Sequence, residues 1–156
     1  MGIVTTSSET GFTQSPEEIY AFVTNPANWP KTYPGSMHIE GLPGHLPLKV
    51  GDVWMEGGEG AGLFTWQLAI AMPPRLWVFT SLGRLGHQAD GSGGMEGRIT
   101  VQYEFLRPGQ NMTLFRRTMT VEALKDSPMP DDFFRIVNPA NIDKYHAAIA
   151  RELAAQ

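Results

Sequence analysis

Apolar residues recur at every second position through the middle of the chain and at every third or fourth position at its two ends. Over 63–72, Phe64, Trp66, Leu68 and Ile70 alternate with Thr65, Gln67 and alanines, the period of a strand with one covered face. Over 98–105, Ile99, Val101, Tyr103 and Phe105 alternate with Arg98, Thr100, Gln102 and Glu104. The same reading predicts strands over 3–13, anchored by Phe12, and over 37–40, 50–56, 76–81 and 112–121. Pro73-Pro74-Arg75 and Arg107-Pro108-Gly109-Gln110 mark turns between neighbours. Ser15-Pro16-Glu17-Glu18 is a capping box, and the helix that it opens carries Ile19, Tyr20, Phe22 and Val23 before Asn25-Pro26 stops it. Asn25 can cap one further short turn, which Pro30 and Pro34 limit. At the other end Asn138 caps a helix with Pro139 in its first turn. Ile142, Tyr145, Ile149 and Leu153 form its apolar stripe, and His146 shares that face.

Seven consecutive strands with helices only at the ends read as α+β. An antiparallel sheet of seven strands would wrap its covered face around the long C-terminal helix. At 156 residues, 42% apolar and 18% charged, the chain is expected to form one domain over 1–156. A net charge of −4 argues against nucleic acid as a partner, because phosphate contacts need clustered Lys and Arg. There is no cysteine, so neither a disulfide framework nor thiol chemistry is expected. The first residues lack the basic and apolar regions of a signal peptide, and no apolar run reaches the length of a membrane span. A cytoplasmic location is the resulting expectation.

Two stretches fall outside the regular pattern. Residues 82–97 hold six glycines with His87, Asp90 and Met95 among them, which suits either a flexible gate or a disordered loop. Residues 125–137 are irregular, with Phe133, Phe134, Ile136 and Val137 leading into the final helix.

With its pieces in this order the chain resembles the START-like superfamily of polyketide cyclase/dehydrase and lipid-transport proteins (SRPBCC), which shares a fold with the birch-pollen allergens. The residues that carry the resemblance run from Ser15-Pro16-Glu17-Glu18-Ile19-Tyr20-Ala21-Phe22-Val23 through Asn25-Pro26-Ala27-Asn28-Trp29-Pro30 to Leu48-Lys49-Val50-Gly51-Asp52. They continue in Thr65-Trp66-Gln67-Leu68, Pro73-Pro74-Arg75-Leu76 and the hairpin around Tyr103-Glu104-Phe105 and Met112-Thr113-Leu114. The resemblance spans essentially the whole chain and implies a helix-grip fold with a deep, mostly apolar cavity between sheet and terminal helix. These are scaffold features, and they carry over no fixed catalytic motif.

The candidate ligand contacts are Trp29, Tyr33, Trp54, Trp66, Phe79, His87, Tyr103, Phe115, Arg117 and His146. The aromatics, with Trp77, suit a flat apolar ligand, though a concave sheet face serves equally as core and as cavity wall. Arg117 shares the inward face of the last strand with Thr113, Phe115, Met119 and Val121, unless the register slips by one and Arg116 takes its place. A buried guanidinium needs an anionic partner, from the protein or from a ligand. His146 is either a satisfied core residue or a donor and acid/base group. No histidine spacing suits a metal site, no glycine pattern makes a phosphate loop, and no nucleophile elbow occurs; neither metal nor cofactor is expected. These residues point to binding or carriage of an apolar, ring-containing small molecule. The alternative is a polyketide-type cyclase or dehydratase in the same cavity, using His146, Arg117 or Tyr103. A chaperone-stimulating interaction module, which shares the fold, ranks third.

Overall fold

A computed structural model describes residues 2–33, 36–58, 62–85, 87–129 and 138–156, apart from the side chains of 62 and 141. The apolar lead at 133–137, Pro34 and Gly86 of the glycine-rich segment lie outside the described residues. Seven strands run β1 Ile3–Phe12, β2 His38–Glu40, β3 Val53–Gly58, β4 Gly62–Met72, β5 Leu76–Leu85, β6 Met95–Gly109 and β7 Met112–Ala123. They form one antiparallel sheet in the order β1-β7-β6-β5-β4-β3-β2. Each neighbour along the chain is a neighbour in space, except that β1 closes onto β7 and leaves β2 as the opposite edge. The α+β reading and its seven strands hold.

Helix α1, Pro16–Val23, starts as the capping box demands: the Glu18 backbone N–H donates to Ser15 Oγ at 3.2 Å, and the Ser15 N–H donates to Glu18 Oε2 at 2.8 Å. Replacing Ser15 by alanine should therefore cost about 1 kcal/mol in urea unfolding; an unchanged midpoint would show that packing of Ile19 and Tyr20 alone fixes the helix. A 3-10 turn at Pro26–Lys31 follows, capped by Asn25. It seats Trp29 in the core, with the indole N–H donating to Val23 O at 2.8 Å. Helix α2, Pro139–Ala154, begins at Asn138, whose side chain accepts from the Ala140 N–H at 3.0 Å.

Strand phase decides what faces α2. On β7 the inward set is Thr113, Phe115, Met119, Val121 and Ala123, with Arg117 in the same phase. Arg116 points out and pairs with Glu9 at 2.6 Å and Glu104 at 3.7 Å. The register question is thereby answered in favour of Arg117. On β4 the expected alternation fails after Leu68. A bulge between Leu68 and Ile70 shifts the register against β5, so Ile70 turns outward and is 41% exposed while Ala71 packs against the core.

The glycine-rich segment is also shorter as a loop than its composition implied. β5 and β6 extend into it, pairing Gly83 with Gly97, Arg84 with Glu96 and Leu85 with Met95. Gly97 faces inward at a close crossing, where an added Cβ would lie 2.6 Å from the Glu122 carbonyl oxygen. Leu85 and Met95, each 1% exposed, give this end of the hairpin apolar burial that glycine content alone does not reveal.

Candidate functional site

Between the concave face of the sheet and α2 lies a cavity of about 260 Å³. Helix α1 and the 3-10 turn supply Phe22, Val23 and Trp29, β4 to β7 supply Phe64, Trp66, Phe79, Ile99, Val101, Tyr103, Phe115 and Met119, and α2 supplies Ile142, Tyr145, His146 and Ile149. Aromatic rings make up about half of the wall, and on neighbouring strands they meet on the diagonal, two positions out of register. Trp66 and Phe79 meet at 4.9 Å, Phe79 and Tyr103 at 5.4 Å, and Tyr103 and Phe115 at 5.2 Å between centroids. Tyr33, just beyond the 3-10 turn, meets Tyr145 of α2 at 4.0 Å and ties the two segments across the cavity.

Eight of the ten sequence candidates line this space: Trp29, Tyr33, Trp66, Phe79, Tyr103, Phe115, Arg117 and His146. Two do not. Trp54 shares the inward face but lies in the packed core, stacked on Trp77 at 5.7 Å and edge-on to Trp29 at 6.0 Å. A large ring beside an even larger aromatic cluster is drawn into packing before it reaches the cavity wall. His87 sits away from the cavity, bridged to Leu63 through a backbone hydrogen bond of 2.9 Å, its own Nδ1 held 2.8 Å from Gln88 O. No described residue of 82–97 lines the cavity, which leaves the loop's gating role without a structural contact behind it.

The polar groups of the cavity fall into two sets. The first is His146 of the wall, with partners on α2 and β1 that do not themselves line the cavity. His146 is 1% exposed, its Nδ1 lies 2.7 Å from Thr10 Oγ1, and its Nε2 is buried without a partner. One turn earlier Asp143 accepts a hydrogen bond from Ser8 Oγ. Ser8 and Thr10 are two apart on a strand and Asp143 and His146 three apart on a helix, so both pairs fall on facing sides of their elements. Burial pushes the His146 pKa down to about 4; the Arg117 charge pushes the same way, and Asp143 opposes it. At neutral pH the ring is therefore neutral.

The second set was not foreseen in full. Glu56 of β3 lines the cavity with Ser36, whose hydroxyl donates to Glu56 Oε2 at 2.9 Å. Burial raises the Glu56 pKa to about 7 against the lowering effects of the Ser36 hydrogen bond and the Arg117 charge. The Trp66 indole is near enough to lower it slightly, yet its buried N–H closes no hydrogen bond. Arg117 sits directly across from Tyr103 in the β6–β7 ladder. Burial pushes the Tyr103 and Tyr33 hydroxyls up to about 12 although Arg117 pulls them down. Both phenols are thus hydrogen-bonding groups in their neutral form.

A signal for Glu56 was present in the sequence. It stands two residues after Trp54 on one strand and so on the same face. Tyr145 belonged to the apolar stripe of the terminal helix from the start; what the stripe could not show was that its ring would meet Tyr33. Among the described residues no three His, Cys, Asp or Glu side chains come together as a metal site. No described helix is long and apolar enough to cross a membrane.

No family pattern and no curated protein matches the chain by sequence. Its fold, in contrast, recurs among solved structures. Ara h 8.0201 is 17% identical, superposes with a TM-score of 0.69, and is covered over 100% of its length by 99% of this chain. A START superfamily protein from Mycobacterium smegmatis is 12% identical with a TM-score of 0.67, each chain covered over 97%. Norcoclaurine synthase from Thalictrum flavum, solved in complex with dopamine and hydroxybenzaldehyde, is 13% identical with a TM-score of 0.65, over 99% of this chain and 88% of that one. Superposition over nearly the whole chain identifies the architecture: the chain has the START-like helix-grip fold.

Proposed function

We propose that this protein binds an apolar, ring-containing small molecule in the cavity between the sheet and α2. The observation that carries the reading is the cavity itself, about 260 Å³ of space walled by aromatic rings with a few polar groups turned inward. That size is slightly below the range of roughly 300–1,000 Å³ of drug-sized sites, which suits a ligand of one or two fused rings. Aromatic walls favour flat ligands through offset and edge-on ring contacts. Trp29, Tyr33, Trp66, Phe79, Tyr103 and Phe115 form those walls, and Arg117 and His146 meet a polar substituent. Trp54 supports the wall from behind, and His87 has no part in the site.

The polar substituent is an anion or a strong hydrogen-bond acceptor. Arg117 closes no salt bridge among the described residues, and His146 Nε2 can donate when Nδ1 accepts from the Thr10 hydroxyl. The test compares 2-naphthoate with naphthalene-2-carboxamide, two bicyclic ligands of one shape, by calorimetry. Replacing Arg117 by methionine should weaken the carboxylate by about 1.5–3 kcal/mol, the scale of a charge-assisted hydrogen bond. The neutral amide should change little. Equal losses for both would make Arg117 a packing residue and remove the anion from the proposal.

A second reading, a cyclase or dehydratase in the same space, draws support from one observation. Glu56, Arg117, Tyr103, Tyr33 and His146 all line a single cavity, whereas a carrier needs only volume and apolar lining.

A further inference from the structure

We propose that Glu56 is a general base in this cavity, and that the molecule it acts on is a cyclic or aryl ketone bearing an acidic C–H beside its carbonyl. The inference rests on the reading that the cavity accepts a ring-containing ligand. It adds a reaction to that reading.

Glu56 supplies the only carboxyl group in the described wall of the cavity. Ser36, itself fully buried, donates to Oε2 at 2.9 Å and thereby fixes the carboxyl plane. Oε1 has no hydrogen-bond partner among the described residues and is left for a ligand. Arg117 lines the same cavity and its charge is felt at Glu56, yet the two groups close no salt bridge. That separation is chemically informative. A carboxylate and a guanidinium enclosed together gain most by pairing, and holding them apart inside one enclosure leaves both charges under-compensated. Structures keep such an arrangement where a third group is to come between them.

In the proposed complex a ketone lies between the two. Its carbonyl oxygen takes the side of Arg117 and the neutral Tyr103 hydroxyl, and its adjacent C–H takes the side of Glu56 Oε1. Glu56 then removes the proton from carbon. The C–H electron pair becomes the carbon–carbon π bond of an enolate, and the carbonyl π pair moves onto oxygen, where the guanidinium offsets the new negative charge. Return of the proton to the same carbon completes an exchange; where the enolate is conjugated with a further double bond, return to its far carbon gives isomerisation, and where the enolate carbon attacks a second carbonyl, the proton held by Glu56 passes to the new alkoxide oxygen and a ring closes. No oxidant, reductant or metal enters the balance. The base is suited to the task because it changes protonation state near neutral pH, which maximises the product of available base and driving force.

The test uses 2-tetralone as probe and reads deuterium incorporation beside its carbonyl by NMR in D2O, with binding measured separately by calorimetry. Wild-type protein should accelerate exchange over matched buffer by about 10²–10⁴-fold, the usual yield of a positioned base. The rate should rise with pH to a plateau, with its midpoint near 7. Glu56→Gln should bind 2-tetralone within about threefold of wild type and lose the acceleration. Because that variant can alter folding, Ser36→Ala provides an independent reading: loss of the hydrogen bond that lowers the Glu56 pKa should move the midpoint upward. Binding without exchange above buffer, or exchange that survives Glu56→Gln, overturns the proposal and leaves the binding function intact. Failure of 2-tetralone and 2-naphthoate alike to bind overturns both.

Discussion

Two single substitutions in the cavity should give stability curves that slope in opposite directions with pH. In Glu56→Gln, stability should rise by about 2–3 kcal/mol between pH 4.5 and 6.5. In His146→Leu it should fall by a similar amount over the same interval. Wild-type protein should change far less than either. The signs follow from proton counts in the folded and unfolded states. His146 has a folded pKa of about 4 against 6.5 in the unfolded chain. Between those values the unfolded chain carries a proton that the folded one lacks, so stability is lost as pH falls through the window. Glu56 is the reverse, with a folded pKa of about 7 against 4.5 unfolded. Between 4.5 and 7 the folded state holds the proton, so stability is lost as pH rises. The two windows overlap almost completely, and each spans more than two pKa units at about 1.4 kcal/mol per unit, reduced somewhat because Glu56 faces a cavity rather than packed atoms. Glu18, Asp52 and Asp90 have lowered pKa values, so their contributions fall mainly below this interval. Urea unfolding of the three proteins at pH 5.0, 5.7 and 6.5 measures the slopes. Two rising slopes would mean that Glu56 is not buried as described, and two falling slopes that His146 is not.

Deletion of residues 138–156 should abolish cooperative unfolding altogether. The helix covers the apolar face through Ile142 and Ile149, which are 2% and 7% exposed, and through His146. Its attachment is to β1, where Ser8 and Thr10 present polar side chains inward. Without α2 those hydroxyls, the Arg117 guanidinium, the Glu56 carboxyl and the surrounding rings would face solvent across an open concave sheet. A seven-stranded sheet with one face stripped of cover has no second layer against which to bury its side chains. The truncated chain should bind a hydrophobic dye and melt over a broad range. One sharp transition close to that of the full chain would show that the sheet and α1 form a core of their own. Replacing Ile149 alone by alanine is the graded form of the test and should cost about 2–5 kcal/mol.

The relation between Trp54 and Glu56 shows how much of the site could be read in advance. Strand period places both on one face, and that inference needs nothing beyond the sequence. Their fates then diverge. Trp54 is captured by Trp77, Trp29 and Phe79 into the core, whereas Glu56, nearer the end of β3, reaches the cavity beside Ser36. Position along the strand relative to the rings of other strands made the difference, and no local pattern encodes that. Ile70 teaches the same point on β4, where one bulged residue after Leu68 turned an apolar side chain outward.

What the sequence determined by itself was local and periodic. The capping box at Ser15, the Asn138 cap, the seven strands and the place of His146 on the apolar face of its helix each follow from residues within a few positions of one another, whereas the choice of Arg117 over Arg116 waited for the register of the last strand. Tertiary structure alone decided which inward residues would meet. It brought Thr10 to His146 and Ser8 to Asp143 across more than 130 residues of chain. It set Tyr33 against Tyr145, and it enclosed Glu56 and Arg117 in one cavity without joining them. The reason is physical. Backbone periodicity fixes the direction of a side chain from its own neighbours, but charge, burial and pKa depend on distances to groups from remote strands, and those distances exist only once the sheet has curved around its helix.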